Sequence, residues 1–296
     1  MLFGAPVIDL SELELLEAQT PNLIVWAVPA MVFFTLVEIL FSYLGNRGFY
    51  EKKELTGSIL VGFGNLIVSA VLKVFLLLVV VWVYNQLPWR MALNWWTFPL
   101  CYVLYDFCSY WAHRISHEQR FWWATHVAHH SGEHYNLAVS FRLSWVQHLK
   151  IVFLLPVMMF GFHPIVFFVT NQIAVLFQFW VHTEYIRKMH PIVEYFIATP
   201  SNHRVHHGSQ ECYIDKNYGA TFIIWDRWFG TYQPEVMPVK YGLTKPIEHK
   251  WNPFYINFHE YLDIIKDVRA ARGIRKKWYY LFGSPTKIAM EKESAQ

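Results

Sequence analysis

The sequence predicts an all-α integral membrane protein, with about four to five transmembrane or re-entrant helices under a histidine-rich helical cap on the cytoplasmic side. Three observations predict it. Of the 296 residues, 54% are hydrophobic and only 16% charged, where a soluble domain carries about a quarter charged residues. The apolar residues are gathered into runs near the roughly 20 residues a helix needs to cross a bilayer. Thirteen of the fifteen histidines fall between His113 and His207, mostly in the polar stretches beside those runs.

Taken in order, residues 1–21 form an N-terminal amphipathic segment. Asp9, Glu12, Glu14 and Glu17 alternate with leucines there, which predicts a short helix outside the bilayer. No basic region with a cleavage site opens the chain, so no secretory signal is expected. Residues 22–112 predict three transmembrane helices. The first, Asn22–Leu44, carries Pro29 and a single charge, Glu38. An intramembrane carboxylate is a candidate functional group. The second, Ser58–Leu87, has Gly62 and Gly64 for close helix packing and Lys73 as a partner for Glu38. The third, Ala92–Ala112, has Trp95, Trp96 and Trp111 near its ends, where interfacial aromatics belong.

Residues 113–231 are the histidine-rich region. It includes an apolar hairpin, 150–181, broken at Gly161-Phe162-His163-Pro164. This hairpin either just crosses or dips in and returns, and in both cases delivers His182 to the side of His113. Residues 232–296 read as a soluble tail with one amphipathic helix around His259–Arg272 and a solvated face. Arg47, Lys52, Lys53, Arg114, Arg142, Lys150, Arg187 and Lys188 all fall on the histidine side, which makes that side cytoplasmic. A net charge of +3 is too small to imply a nucleic-acid partner. Cys101, Cys108 and Cys212 show neither disulfide nor zinc-ribbon spacing and read as free thiols.

Spacing gives the histidines their meaning. His113 and His117 stand four apart and share a helix face. His126 with His129 or His130, and His203 with His206 or His207, repeat that geometry. Adjacent pairs point about 100° apart on a helix, so one member of each pair can serve one ion and the other a second. Nine histidines, with His182, exceed what one ion of four to six ligands can use. Divided between two ions they leave positions open. Imidazole suits iron, zinc, copper and nickel. Attack on an inert C–H bond needs a cofactor, because no side chain can perform it, and a pair of irons facing a bilayer suits that chemistry.

His113-x3-His117, His126-x2-His129-His130 and His203-x2-His206-His207 resemble the histidine boxes of the fatty acid hydroxylase superfamily, also called the sterol desaturase family. Tyr105-Asp106, Glu133-His134-Tyr135-Asn136-Leu137, Trp180-Val181-His182-Thr183-Glu184, Thr199-Pro200-Ser201, Asp215-Lys216-Asn217-Tyr218-Gly219, Trp225-Asp226-Arg227 and Tyr241-Gly242-Leu243-Thr244 extend the likeness, over residues 35–265, to the branch acting on alkylglycerols. The resemblance implies a membrane non-haem di-iron oxygenase with two Fe ions, O2 and a lipid substrate. It implies a separate electron donor, either a tetrahydropterin or a ferredoxin/reductase. No dinucleotide fingerprint is present to supply electrons from within the chain. The family often has a histidine directly before the third box; here Asn202 stands there, and it is not counted as a ligand.

Carboxylates are expected behind the ligands, because a metal-bound imidazole needs a partner for its other nitrogen. Asp106, two turns before His113, Glu133 after the second box and Glu184 after His182 are the candidates. His134, His148 and His190 are weaker ones, while His163, His249 and His259 read as ordinary polar residues. Asn136 and Arg142 are candidates for a polar headgroup or the reductant. The competing readings are a sterol, fatty-acyl or carotenoid hydroxylase or desaturase, a zinc-dependent membrane hydrolase, and a non-catalytic metal-binding protein.

Overall fold

A computed structural model describes residues 4–294, and among them every regular element is helical. Isolated bridges join Ile197 to Phe222 and Gly208 to Tyr241. The opening segment folds as a short 3-10 turn and α1 (Leu13–Gln19). α2 (Leu23–Leu44) follows, its first turn capped by the Asn22 side chain, which accepts from the Val25 N–H. α3 (Lys52–Gln86) begins six residues before the predicted span, because the Glu51 carboxylate caps it by accepting from the Glu54 N–H at 2.9 Å. Among the described residues, α2 and α3 are the two helices long and apolar enough to cross a membrane. Their apolar side chains remain largely uncovered by protein, Phe33, Phe41, Phe63 and Val71 among them, as lipid-facing surfaces require.

The predicted third span is displaced. α4 covers Thr97–Glu118, starting five residues late and running through both histidines of the first box. α5 (Arg120–Trp123) and α6 (Val127–His130) are single turns. The predicted hairpin is asymmetric. Its first limb is a 3-10 stretch, Gln147–Leu154, followed by the five-residue α7 (Leu155–Met159). Its second is α8 (Pro164–Trp180), which at 17 residues is about 25 Å long and shorter than a hydrocarbon core of about 30 Å. The hairpin turn meets the α3–α4 turn, where Met91 N–H donates to Gly161 O at 2.8 Å and the Trp89 indole to Met159 O at 2.9 Å. Arg90 reaches back to the N-terminal segment, donating to Ala5 O at 2.8 Å. These turns therefore share one end of the bundle, and the histidines occupy the other. A core of Val80, Cys101, Tyr105, Val157, Phe162 and Val166 joins α3, α4, α7 and α8 between the two ends.

The rest of the chain is short helices and loops: α9 (Pro191–Phe196), α10 (Pro200–His206), α11 (Ile224–Phe229), α12 (Pro253–Ala270), α13 (Ile274–Phe282) and α14 (Pro285–Ser294). Proline at the first position with a capping side chain before it sets several starts, as at His163-Pro164, His190-Pro191, Thr199-Pro200 and Asn252-Pro253.

Two expectations about the spans change. Lys73 pairs with Glu17 of α1 at 2.6 Å, not with Glu38. Counting from the helix ends at about 1.5 Å per residue, Lys73 and Glu38 lie roughly 20 Å apart in depth. The glycines of α3 admit cap segments rather than another span. A Cβ on Gly64 would stand 2.4 Å from the Trp145 ring, and one on Gly62 would stand 3.0 Å from Phe141 O.

Candidate metal centre

All nine box histidines come together. His113, His117, His126, His130 and His206 form one group, and His129, His182, His203 and His207 a second; within each group the candidate nitrogens all lie within 4.8 Å of one another. The adjacent pairs divide as their 100° separation predicts: His130 and His206 fall in the first group, His129 and His207 in the second. The His130 and His207 rings stack at 4.3 Å between centroids, so the groups are neighbours.

The tautomers follow from the backbone. A carbonyl only accepts, so His113 Nδ1 donates to Tyr218 O at 2.7 Å, His182 Nδ1 to Gln178 O at 2.7 Å, and His206 Nδ1 to Lys216 O at 3.0 Å. In these neutral rings Nε2 is then a bare acceptor. These acceptors point at other imidazole nitrogens: His113 Nε2 lies 2.8 Å from His126 Nε2, His206 Nε2 3.1 Å from His130 Nε2, and His182 Nε2 3.0 Å from His203 Nε2. The buried His117 Nε2 has no hydrogen-bond partner among the described residues. Converging lone pairs suit a cation between them, so the donor set fits two nitrogen-loving metal ions.

Electrostatics agree. Burial first, then repulsion from neighbouring imidazoles, pushes His113, His129, His130 and His206 well below the ordinary histidine range. Burial pushes His182 down to about 4. Lys150, itself pushed down to about 7 by burial, adds to the repulsion on His113, His117, His126, His129 and His206 when it is protonated. Neutral imidazole is the metal-binding form.

The carboxylates expected behind the ligands bind elsewhere. Asp106 accepts from the Thr221 N–H at 2.9 Å, the Phe222 N–H at 3.1 Å and the Trp225 indole at 2.9 Å. It shares a face with His113 but stands about 10 Å lower along the helix, at the level where this loop crosses. Glu133 pairs with Lys250 at 2.6 Å. Glu184 accepts from the Tyr241 hydroxyl and lies 3.9 Å from Arg204. Asn136 caps a turn by accepting from the Ala138 N–H and donates to Phe49 O. Arg142 is 1% exposed, donating to Ala128 O at 3.1 Å and Ser131 Oγ at 2.6 Å. It braces the second box from behind and is no surface charge. His134, His148 and His190 also bond away from the cluster, to Glu54, Ser69 and the Ile192 N–H.

The layer behind the ligands is the segment 215–222 instead. Asp215 and Asn217 hold left-handed backbone, at φ 59° and 56°, a conformation Asp and Asn tolerate. The resulting double turn aims the carbonyls of Lys216 and Tyr218 at two imidazoles and brings the Asp215 carboxylate to 3.7 Å from His117 Nδ1. Asp226 fixes it, accepting from the N–H groups of Tyr218 and Gly219, both at 2.7 Å. Asp106 fixes its far end. Tyr218 lies against His113 and His117, with its buried hydroxyl unpartnered. The Asp-Lys-Asn-Tyr-Gly run was the sequence signal for this loop.

Glu38 also serves the site. Its carboxylate accepts from the Tyr50 hydroxyl, the Thr183 hydroxyl and, at 2.8 Å, the Leu137 N–H. It thus ties α2 to the residue after His182 and to the loop after the second box. Glu38→Ala is expected to orphan these donors at about 1–3 kcal/mol each, and a thermal melt in detergent should show a midpoint lower by several degrees. A melt matching the parent protein contradicts the tie.

His134 gives a pH prediction. Its bond to Glu54 at 3.0 Å raises its pKa above the ordinary value. A raised histidine pKa contributes stability in full below the unfolded value, near about 6.5, and loses it as pH rises through the folded value. Melting temperature should therefore fall as pH rises above about 6.5, and His134→Gln should flatten that slope. An unchanged slope refutes the assignment.

Residues 98–231 match the model of the fatty acid hydroxylase family. That segment is a fatty acid hydroxylase domain, and it contains all nine clustered histidines. The particular likeness is to alkylglycerol monooxygenases. The chain is 42% identical to that of Xenopus tropicalis over 201 residues, covering 68% of this chain and 44% of the relative. To that of Danio rerio it is 35% identical over 260 residues, covering 83% and 56%. An ornithine lipid hydroxylase of Rhizobium tropici is 27% identical over 146 residues, 48% of this chain and 44% of the relative. The chain thus spans about half the length of these curated relatives. No solved structure gives a significant match.

Proposed function

We propose that this protein is a multi-pass membrane non-haem di-iron monooxygenase that hydroxylates a lipid C–H bond with O2. The observation that carries the proposal is the convergence of bare imidazole nitrogens into two adjacent groups, one of five histidines and one of four. His113, His117, His126, His130 and His206 would hold one iron, and His129, His182, His203 and His207 the other. Bound there, the irons supply the O2 activation and C–H oxidation that no side chain can perform. The chain's own work is positional. Backbone carbonyls behind the rings fix which nitrogen faces inward, and burial keeps the rings neutral.

The substrate we infer is the alkyl chain of an ether lipid such as an alkylglycerol, on the likeness to alkylglycerol monooxygenases. Oxidation consumes O2, two electrons and two protons, leaving one oxygen on carbon and one in water. At the carbon beside the ether oxygen the product is a hemiacetal, which collapses to an aldehyde and a free glycerol hydroxyl. An apolar groove of about 260 Å3, lined by Leu100, Val103, Leu104, Phe107, Phe160, Phe162 and Trp225, supports an alkyl occupant. Its α4 residues lead towards His113, six residues beyond Phe107 and about 9 Å along the helix. The electrons come from a separate donor, a tetrahydropterin or a ferredoxin/reductase. The site faces the cytoplasm, on the positive side chains gathered at that end.

Cells with and without the protein, fed alkylglycerols and sterols under isotopic O2, test this reading. The expected result is protein-dependent loss of the alkylglycerol with label in the released aldehyde or its oxidation product. Unlabelled desaturated lipid, or label in a sterol instead, overturns the ether-lipid substrate.

A further inference from the structure

The C-terminal helices do not behave as a free tail. α12 is docked along one face: Ile256 is buried in a core with Val61 of α3 and Ala128, Asn257 Oδ1 accepts from the Trp145 N–H at 2.8 Å, and Ile264 is 4% exposed. On the same face Glu260 and Asp267 clasp Arg120 at 2.6 and 2.5 Å. Arg120 lies two residues past the end of α4, so this clasp holds α12 where α4 ends. α13 is held at the same place, with Arg120 N–H donating to Gly283 O at 3.0 Å and the Phe121 and Phe282 rings 6.0 Å apart.

α12 then presents a second apolar stripe, largely uncovered among the described residues, with Phe258 half-buried within it. Phe254, Phe258, Leu262 and Ile265 recur at helical spacing, roughly 150° from the docked face. Phe254 is 65%, Leu262 61% and Ile265 45% exposed. The stripe is continuous with the lipid-facing side of α3. Phe254 and Phe258 meet the Trp145 ring at 5.1 and 6.1 Å, and that ring lies against Gly64, one residue from the exposed Phe63. On α13, Ile274 and Trp278, one turn apart, are 70% and 57% exposed. Around them stand Arg269, Arg272, Arg275, Lys276 and Lys277, all exposed. Of the nearby acids, Asp267 pairs with Arg120 and Lys292, and Glu291 with Lys276 and the Tyr279 hydroxyl, while Asp263 is exposed on the polar side of α12.

An apolar stripe of Phe, Leu, Ile and Trp rimmed by Lys and Arg is the composition of a helix that lies in a membrane interface. We propose that α12 and α13 lie along the surface of the protein's own bilayer on the histidine side, with the stripe among acyl chains and the basic rim on anionic headgroups. Basic residues near an anionic surface are attracted to it. The helices act as a collar fixing the depth at which α4 hands its histidines to the cap.

The test uses the full chain in nanodiscs containing phosphatidylcholine and phosphatidylglycerol, in a Cys212→Ser background. Cys101 and Cys108 are buried. Nitroxides are placed one at a time by Leu262→Cys, Ile265→Cys and Trp278→Cys, with Asp263→Cys and Lys266→Cys as references on the polar side of α12. Collision with O2, which concentrates in acyl chains, and with a water-soluble nickel chelate is read by power saturation. The expected result is O2-accessible, chelate-protected labels at 262, 265 and 278, and the reverse at 263 and 266. Replacing phosphatidylglycerol by phosphatidylcholine should shift labels 262 and 265 towards the chelate. Free access of the chelate to 262, 265 and 278 in anionic nanodiscs overturns the proposal, and leaves a soluble protein partner as the occupant of the stripe. Neither outcome depends on turnover, so the collar and the oxygenase reading stand or fall separately.

Discussion

His129→Ala and His206→Ala are each expected to abolish formation of the oxidised lipid. The two residues belong to different groups, so each change strips one proposed metal position of a ligand and leaves the other set intact. In the second group only four histidines are available, and losing one leaves three for an ion that normally takes four to six ligands. The first group starts with five and is better able to keep its ion than its chemistry. His206→Ala should therefore retain more metal than His129→Ala while being equally inactive. Product analysis of cells expressing each variant, beside metal analysis of the isolated proteins, checks both statements. Unchanged lipid product in both variants contradicts a catalytic centre and favours a non-catalytic metal-binding protein.

Asp106→Ala should have the next largest effect, although Asp106 touches no histidine. It accepts from two backbone N–H groups and an indole N–H in a fully buried position. Alanine leaves three buried donors unpaired at about 1–3 kcal/mol each. It also frees the loop whose Tyr218 carbonyl orients His113. Loss of such an outer partner typically costs about 10–100-fold in metal affinity or activity. Chelator competition on purified protein, with a thermal melt in parallel, reads the two consequences. Asp106→Asn keeps one acceptor and should fall between the variant and the parent. An Asp106→Ala protein that melts lower but holds metal as tightly as the parent contradicts the orienting role and leaves only a structural one.

Much of the centre was legible in the sequence because helical periodicity is a local property. Four-residue spacing put His113 with His117, His126 with His130 and His203 with His207, and the 100° step divided the adjacent pairs between the two groups. His182 was legible from the apolar hairpin that had to return it. What spacing could not supply was the layer behind the ligands. Its main partners are backbone carbonyls of Gln178, Lys216 and Tyr218, and a carbonyl has no residue type to read. Shared helix face placed Asp106 correctly in angle, but not in depth, so its partner became a crossing loop. Arg142 and Glu38 were visible as odd charges. Their roles depended on which distant backbone groups the fold brings to them. Gly62 and Gly64 signalled close approach, yet what approaches is a cap segment from 80 residues further on.

The central claim is that two irons sit side by side between these nine histidines. The most direct measurement is the metal content of the full chain purified without oxygen from iron-replete cells. Two irons per chain, with lipid oxidation that requires O2, is the predicted result. One metal per chain, or zinc as the active metal with turnover independent of O2, contradicts it.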